Sequence, residues 1–235
     1  MRQISICMLL TFIYAYSYGQ VYVGLSSGVA ITKIRIEEGT ENFNRPESKT
    51  LPGFNMDVPI LFKFNKHISL QSGLSYLNMG ATLAMNNSYR VIDVSDPIYQ
   101  SLRYNDAKYR LNYLSVPITF NYTIPLKYLS VYARAGGYIS TLLYGTSKEE
   151  DRNSKRTINL NDEKLNSLDF GSVAGIGITR DLGKGFLFMD AKYMIGLSNL
   201  NDSADSFAVP YGNNKLYNRG GFFNIGYMLN LGKAQ

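Results

Sequence analysis

At 235 residues the chain is long enough for one β-barrel or sandwich, or for two small domains, and its 45% apolar content is ordinary for a folded protein. A formal charge of +6, with no Lys/Arg run longer than two residues, argues against a nucleic-acid partner. Tyr and Gly are abundant at 19 and 21, Trp is absent and Cys occurs once, a composition that leans toward β-structure.

The chain opens as an export signal. Arg2 gives a positive start, 4–16 is mostly apolar, and Ser17-Tyr18-Gly19 stands where a signal peptidase reads. Residues 1–19 are therefore expected to be removed, and 20–235 to form one domain. The apolar stretch is too short for a comfortable helical span. Cys7 leaves with it, so the mature chain is expected to hold no disulfide, thiolate metal site or cysteine nucleophile.

From residue 20 onward apolar side chains recur with a period of two. Strands are predicted at 20–32, 54–65, 67–79, 109–123, 128–144, 167–180, 186–198 and 221–232. Each can cross a hydrocarbon core at a tilt, which takes about 9–11 residues. No apolar run in the mature chain approaches the roughly 18 residues of a transmembrane helix.

Sorting each strand into its two faces gives one side without charge. It carries Val21, Val23, Leu25, Val29 and Ile31 in the first strand and Phe54, Met56, Val58, Ile60, Phe62 and Phe64 in the second. Later strands repeat it with Leu114, Val116, Ile118 and Phe120, and with Phe223, Ile225, Tyr227 and Leu229. The other side carries Asp57, Lys63, Arg134, Asp169, Asp190 and Lys192, together with most strand glycines, among them Gly24, Gly73, Gly136, Gly175 and Gly226. An eight-stranded lumen is only wide enough for side chains to fill. Glycines beside long polar residues suit that space, and a cluster of phenylalanines would overfill it.

Connection lengths point the same way. Long polar segments at 33–53, 80–108, 145–166 and 199–220 alternate with short breaks at 65–67, 125–127 and 181–185. Outer-membrane barrels alternate like this, with short periplasmic turns and longer outer loops. A bilayer also demands closure, because every strand edge must be satisfied internally. A lysine facing lipid at mid-depth would cost about 2–4 kcal/mol, so a charge-free face in every strand is meaningful. The expected fold is all-β: an eight-stranded antiparallel up-and-down transmembrane β-barrel with short periplasmic turns and long extracellular loops.

Four stretches carry a family resemblance. "YLSVPITFNY" at 113–122 resembles the Tyr-Leu-x-Ile/Val-Pro strand of PorT-like outer-membrane barrels, and "DFGSVAGIGI" at 169–178 is similar to their Asp-Phe-Gly-x-x-x-Gly-x-Gly strand. "ARAGGY" at 133–138 and "DAKYMIGLSNL" at 190–200 resemble the strands on either side, so the likeness covers nearly the whole mature chain. It implies a small Gram-negative outer-membrane barrel, in a family with one member needed for type IX protein secretion. The chain departs from the wider outer-membrane pattern in lacking Trp and in ending on "NLGKAQ".

Pro59 and Pro117 fall inside predicted strands. Proline removes a ladder donor, so a bulge or a side-chain replacement is expected at each.

Little supports an enzyme. Barrel enzymes acting on acyl chains need His with Ser near the outer leaflet, whereas His67, the only histidine, falls at a short periplasmic turn. No catalytic, cofactor or metal residues are expected. The lumen charges Asp57, Lys63, Arg134, Asp169, Asp190 and Lys192 are read as one salt-bridged network, because an unpaired buried charge is costly.

Three functions fit this sequence. One is a non-enzymatic outer-membrane barrel whose loops bind lipopolysaccharide or an envelope-assembly or secretion-system protein. The second is a narrow ion or small-solute channel, and the third a soluble periplasmic lipocalin-type barrel. The first is favoured.

Overall fold

The structure, a computed structural model, describes residues 20–37, 46–85, 107–149, 155–158, 166–201 and 215–232. The predicted export signal at 1–19 lies outside these residues. Among these described residues nine strands follow in chain order: β1 (Gln20–Glu37), β2 (Pro46–Lys63), β3 (Ile68–Met85), β4 (Ala107–Pro125), β5 (Ser130–Glu149), β6 (Lys155–Ile158), β7 (Leu168–Asp181), β8 (Gly185–Gly196) and β9 (Lys215–Asn230).

Every pairing is antiparallel, and β1 pairs with both β2 and β9. The remaining neighbours run β2–β3–β4–β5–β7–β8–β9, which closes an eight-stranded barrel. The ninth strand, β6, pairs with the far end of β5. Closure leaves the eight staves without a free edge, as a lipid-embedded sheet requires.

The predicted apolar faces point outward. Leu25, Ile118 and Phe223 are 70%, 54% and 59% exposed, while Arg134 and Asp190 are each 7% exposed. A lipocalin-type barrel would turn its apolar side inward, so that reading falls. The outer surface is a belt of leucine, isoleucine, valine and phenylalanine that only an apolar solvent would cover.

All eight predicted staves are present, and their short-turn ends agree closely with the sequence reading. At the long-loop end six of them run further, among them β1, which continues to Glu37, β2, which begins at Pro46, β3, which continues to Met85, and β9, which begins at Lys215, while β7 and β8 stop one and two residues short. The polarity of the two faces inverts there. On β1, outward positions change from Leu25, Val29 and Ile31 to Lys33, Arg35 and Glu37, while inward positions change from Ser26 and Gly28 to Ile34 and Ile36. Along β1 the pleat never changes phase. Its two solvents do: the outside passes from lipid to water, and the inside from a polar filling to an apolar one.

The expected proline bulges are absent. The β1–β2 ladder passes from Val23↔Ile60 to Ser26↔Asp57, and the β3–β4 ladder from Gln71↔Thr119 to Ser75↔Ser115, with register kept on both sides. Pro59 and Pro117 each drop ladder pairs on one side and keep a paired neighbour, Gly73 and Tyr138, on the other. The kept registers set Gly24, Pro59, Gly73 and Pro117 side by side across β1–β4. Gly73 tolerates this place because it has φ +143° and a Cβ there would stand 2.3 Å from the Val58 carbonyl oxygen. Skipping pairs absorbs the missing donor without displacing the strand, so every side chain beyond it keeps its face. The register shifts that do occur lie nearer the long-loop end, between Thr50 and Asn55 and between Asn112 and Tyr113.

Candidate functional site

Strand alternation delivers the polar side chains to the lumen, where they form two separate groups. The larger is a charged band built on β2, β5, β8 and β9. Arg134 Nη2 donates to Asp190 Oδ2 at 2.8 Å, and the Tyr132 hydroxyl donates to the same oxygen at 3.0 Å. Asn224 Nδ2 donates to Asp190 Oδ1 at 2.8 Å, and Asn55 Nδ2 donates both to Asn224 Oδ1 at 2.7 Å and to Asp57 Oδ2 at 2.8 Å. Lys192 Nζ completes the band 3.3 Å from Asp57 Oδ2.

Gly175 makes room for it. The register sets Gly175 between Arg134 on β5 and Lys192 on β8, so two long cations pass a residue with no side chain. The two positive and two negative charges cancel, and both pairs are at least nine-tenths buried. Such pairing holds the charges in a low-dielectric interior, where either partner alone would be strongly destabilising.

The second group surrounds Asp169 nearer the long-loop end. Ser198 Oγ donates to Asp169 Oδ1, while Asn218 Nδ2 at 2.8 Å and the Tyr138 hydroxyl at 3.3 Å donate to Oδ2. Asn218 also donates to the Tyr113 hydroxyl at 3.1 Å. Asp169 is thus held by neutral donors rather than by a cation.

Of the six predicted network residues, the structure brings together Asp57, Arg134, Asp190 and Lys192. It leaves Asp169 in its own group, and Lys63 near the short turns. Sequence reasoning missed the asparagines that join the pairs. Asparagine is depleted in strands, so its recurrence at 55, 78, 112, 121, 218 and 224 was the available sign of an interior ladder of amides.

Apolar layers lie at both ends of this polar filling. Tyr22, Leu61, Phe186, Phe188 and Met228 cluster toward the short turns. Toward the long loops Ile34, Leu77, Leu111, Tyr113, Leu142 and Phe222 belong to a larger buried core. Lys192 Nζ meets that core, 5.5 Å from the centroid of the Phe222 ring. His67 stands at the β2–β3 turn as expected, its Nδ1 3.0 Å from the Thr123 carbonyl oxygen and its ring stacked on Tyr122.

Residues 17–202 match the family model for the outer membrane protein beta-barrel domain. The chain belongs to this family. An outer-membrane location and a barrel that spans the membrane follow from membership, and they agree with the apolar belt around these staves. Among solved structures, this family barrel is similar to the outer membrane protein OprG from Pseudomonas aeruginosa, with 10% identity over 89% of this chain and 96% of that chain and a TM-score of 0.48. It is also similar to Ail, the attachment invasion locus protein of Yersinia pestis, solved with the heparin analogue sucrose octasulfate, with 14% identity over 89% and 99% of the two chains and a TM-score of 0.41. The outer membrane protease OmpT from Escherichia coli is a third, with 11% identity over 90% and 97% and a TM-score of 0.40. No curated protein matches the sequence. Assignment to the family rests on the match over 17–202.

Proposed function

We propose that this family barrel is non-enzymatic and acts through its long-loop end as a binding or envelope-assembly component of the PorT-like kind, its lumen serving as a structural plug. One observation carries the reading: the long-loop end of the lumen is filled by a packed apolar core in which Phe222 and Tyr113 have no exposed surface. A packed layer of that kind obstructs any file of water between the two mouths, which argues against the channel alternative. The charged band beneath it is neutral as a set and internally paired, the arrangement expected of a plug.

The long segments between staves then supply the surface on which a partner binds, held by strands that continue past the lipid belt. On this reading they face outward from the cell, the short turns face the periplasm, and lipopolysaccharide or an envelope or secretion-system protein is the partner. Replacing 86–106 and 202–214 by short Gly/Ser turns tests it. The shortened protein should keep the heat-modifiable gel mobility of a folded barrel and lose retention of lipopolysaccharide and envelope proteins from detergent-solubilised membranes. Steady ion conductance of the intact barrel in planar bilayers, with retention unchanged by the replacement, would overturn the proposal.

A further inference from the structure

A cavity of 140 Å³ opens at the short-turn end of the lumen, below the charged band. Its lining mixes two kinds of residue. The lower apolar cluster contributes Leu61, Phe186 and Met228. Beside them stand Lys63, two residues from Leu61 on β2, with Lys66, Arg134 and a single carboxylate, Asp181, the ladder partner of Phe186. Neither Lys63 nor Lys66 has an ion-pair or hydrogen-bond partner among the described residues. Arg134 spends Nη2 on Asp190 and Tyr132, while its buried Nε has no partner.

These facts do not suit a plug. The charged band above pairs both of its cations, whereas Lys63, half-buried, and Lys66, exposed at the mouth, are left to solvent or a ligand. Here two ammonium groups without a protein partner among the described residues line a space that greasy side chains also bound. After Asp190 neutralises Arg134 and Asp181 offsets one lysine, a positive charge is left over. We propose that this vestibule binds a small organic carboxylate carrying an apolar group, with Lys63 and Lys66 clasping the anion and the Leu61, Phe186 and Met228 wall taking the apolar part. A free small acid and the C-terminal residue of a peptide share that chemistry. Only the compartment from which the ligand comes, the periplasm, rests on the function proposed above; loop replacement leaves the vestibule intact, so the two proposals fail separately.

The test uses the refolded barrel in detergent micelles, titrated by calorimetry with 3-phenylpropionate, the neutral 3-phenylpropanol, inorganic phosphate, and the peptide Ala-Ala-Phe with a free or an amidated C-terminus. Phenylpropionate is expected to bind measurably better than phenylpropanol and phosphate. K63Q and K66Q should each weaken it about tenfold, the scale of one charge-assisted contact, and K184Q, outside the cavity, should leave it unchanged. Tighter binding of the free-acid peptide than of phenylpropionate, lost on amidation, would assign the site to chain ends. Binding of the acid without the peptide would assign it to free small acids. Equal binding of the alcohol, equal binding of phosphate, or an affinity unmoved in the K63Q/K66Q double variant would overturn the proposal. Retained gel mobility on heating separates loss of binding from loss of fold.

Discussion

The two ends of this barrel are built from the same eight staves and solve opposite problems. Around the lipid belt the outside must be greasy, so the inside is where charge and amide groups collect and must find partners. Past the belt the outside meets water, and the inside reverts to the apolar packing of a soluble protein, with Ile34 and Ile36 buried behind Lys33 and Arg35. Inward and outward are fixed by the pleat alone. Which of them is apolar is fixed by the solvent at that height.

The largest effect should come from unpairing the charged band. Arg134→Met strands Asp190 in a nearly closed interior and should destabilise the barrel by about 3–5 kcal/mol. Adding Asp190→Leu to the same variant should recover most of it. Equilibrium urea unfolding in lipid vesicles, followed by gel mobility, reads both; a double variant no better than the single would mean that the pair is not the cause.

Adjacent phenylalanines test the difference between the two faces. Phe222 has no exposed surface and Phe223 is 59% exposed to the belt. Phe222→Ala should cost about 3–5 kcal/mol as a core cavity. Phe223→Ala should cost clearly less in the same assay, because lipid chains fill the space. Equal costs would show that the upper core is not packed as described.

The height of the belt can be marked with one cation moved along β1. Leu25→Lys should cost about 2–4 kcal/mol at mid-depth. Moving the charge to the naturally charged end, with Lys33→Leu as its counterpart, should change stability by about 0.5 kcal/mol or less. Similar penalties at 25 and 33 would place the lipid boundary elsewhere.

The sequence made the staves legible because lipid imposes an unbroken outward rule: Leu25, Val29 and Ile31 leave no doubt about period or face. It hid the strand ends, since Lys33-Ile34-Arg35-Ile36-Glu37 reads as a polar loop to an eye seeking outward apolar residues. In water those five residues form an equally regular strand with the roles exchanged. The charges were correctly assigned to the lumen, but their partners were not legible. Asp57 and Lys63 share a strand and a face, yet Asp57 meets Lys192 across the barrel, 135 residues away, and Lys63 lines the vestibule. Such pairings depend on tilt and register around the closed ring, and neither is written in any single strand. The prolines were misread for a related reason. A bulge would have turned every following side chain to the wrong solvent, so skipping pairs was the less disruptive adjustment.

The row from Gly24 through Pro59 and Gly73 to Pro117 has a mechanical meaning. Two of its three inter-strand seams lose pairs there, so the half of the wall formed by β1–β4 is stitched less fully than the arc of β7, β8 and β9, whose ladders are unbroken. Hydrogen exchange in a lipid-embedded barrel is expected to be fastest at that row and slowest along β7, β8 and β9.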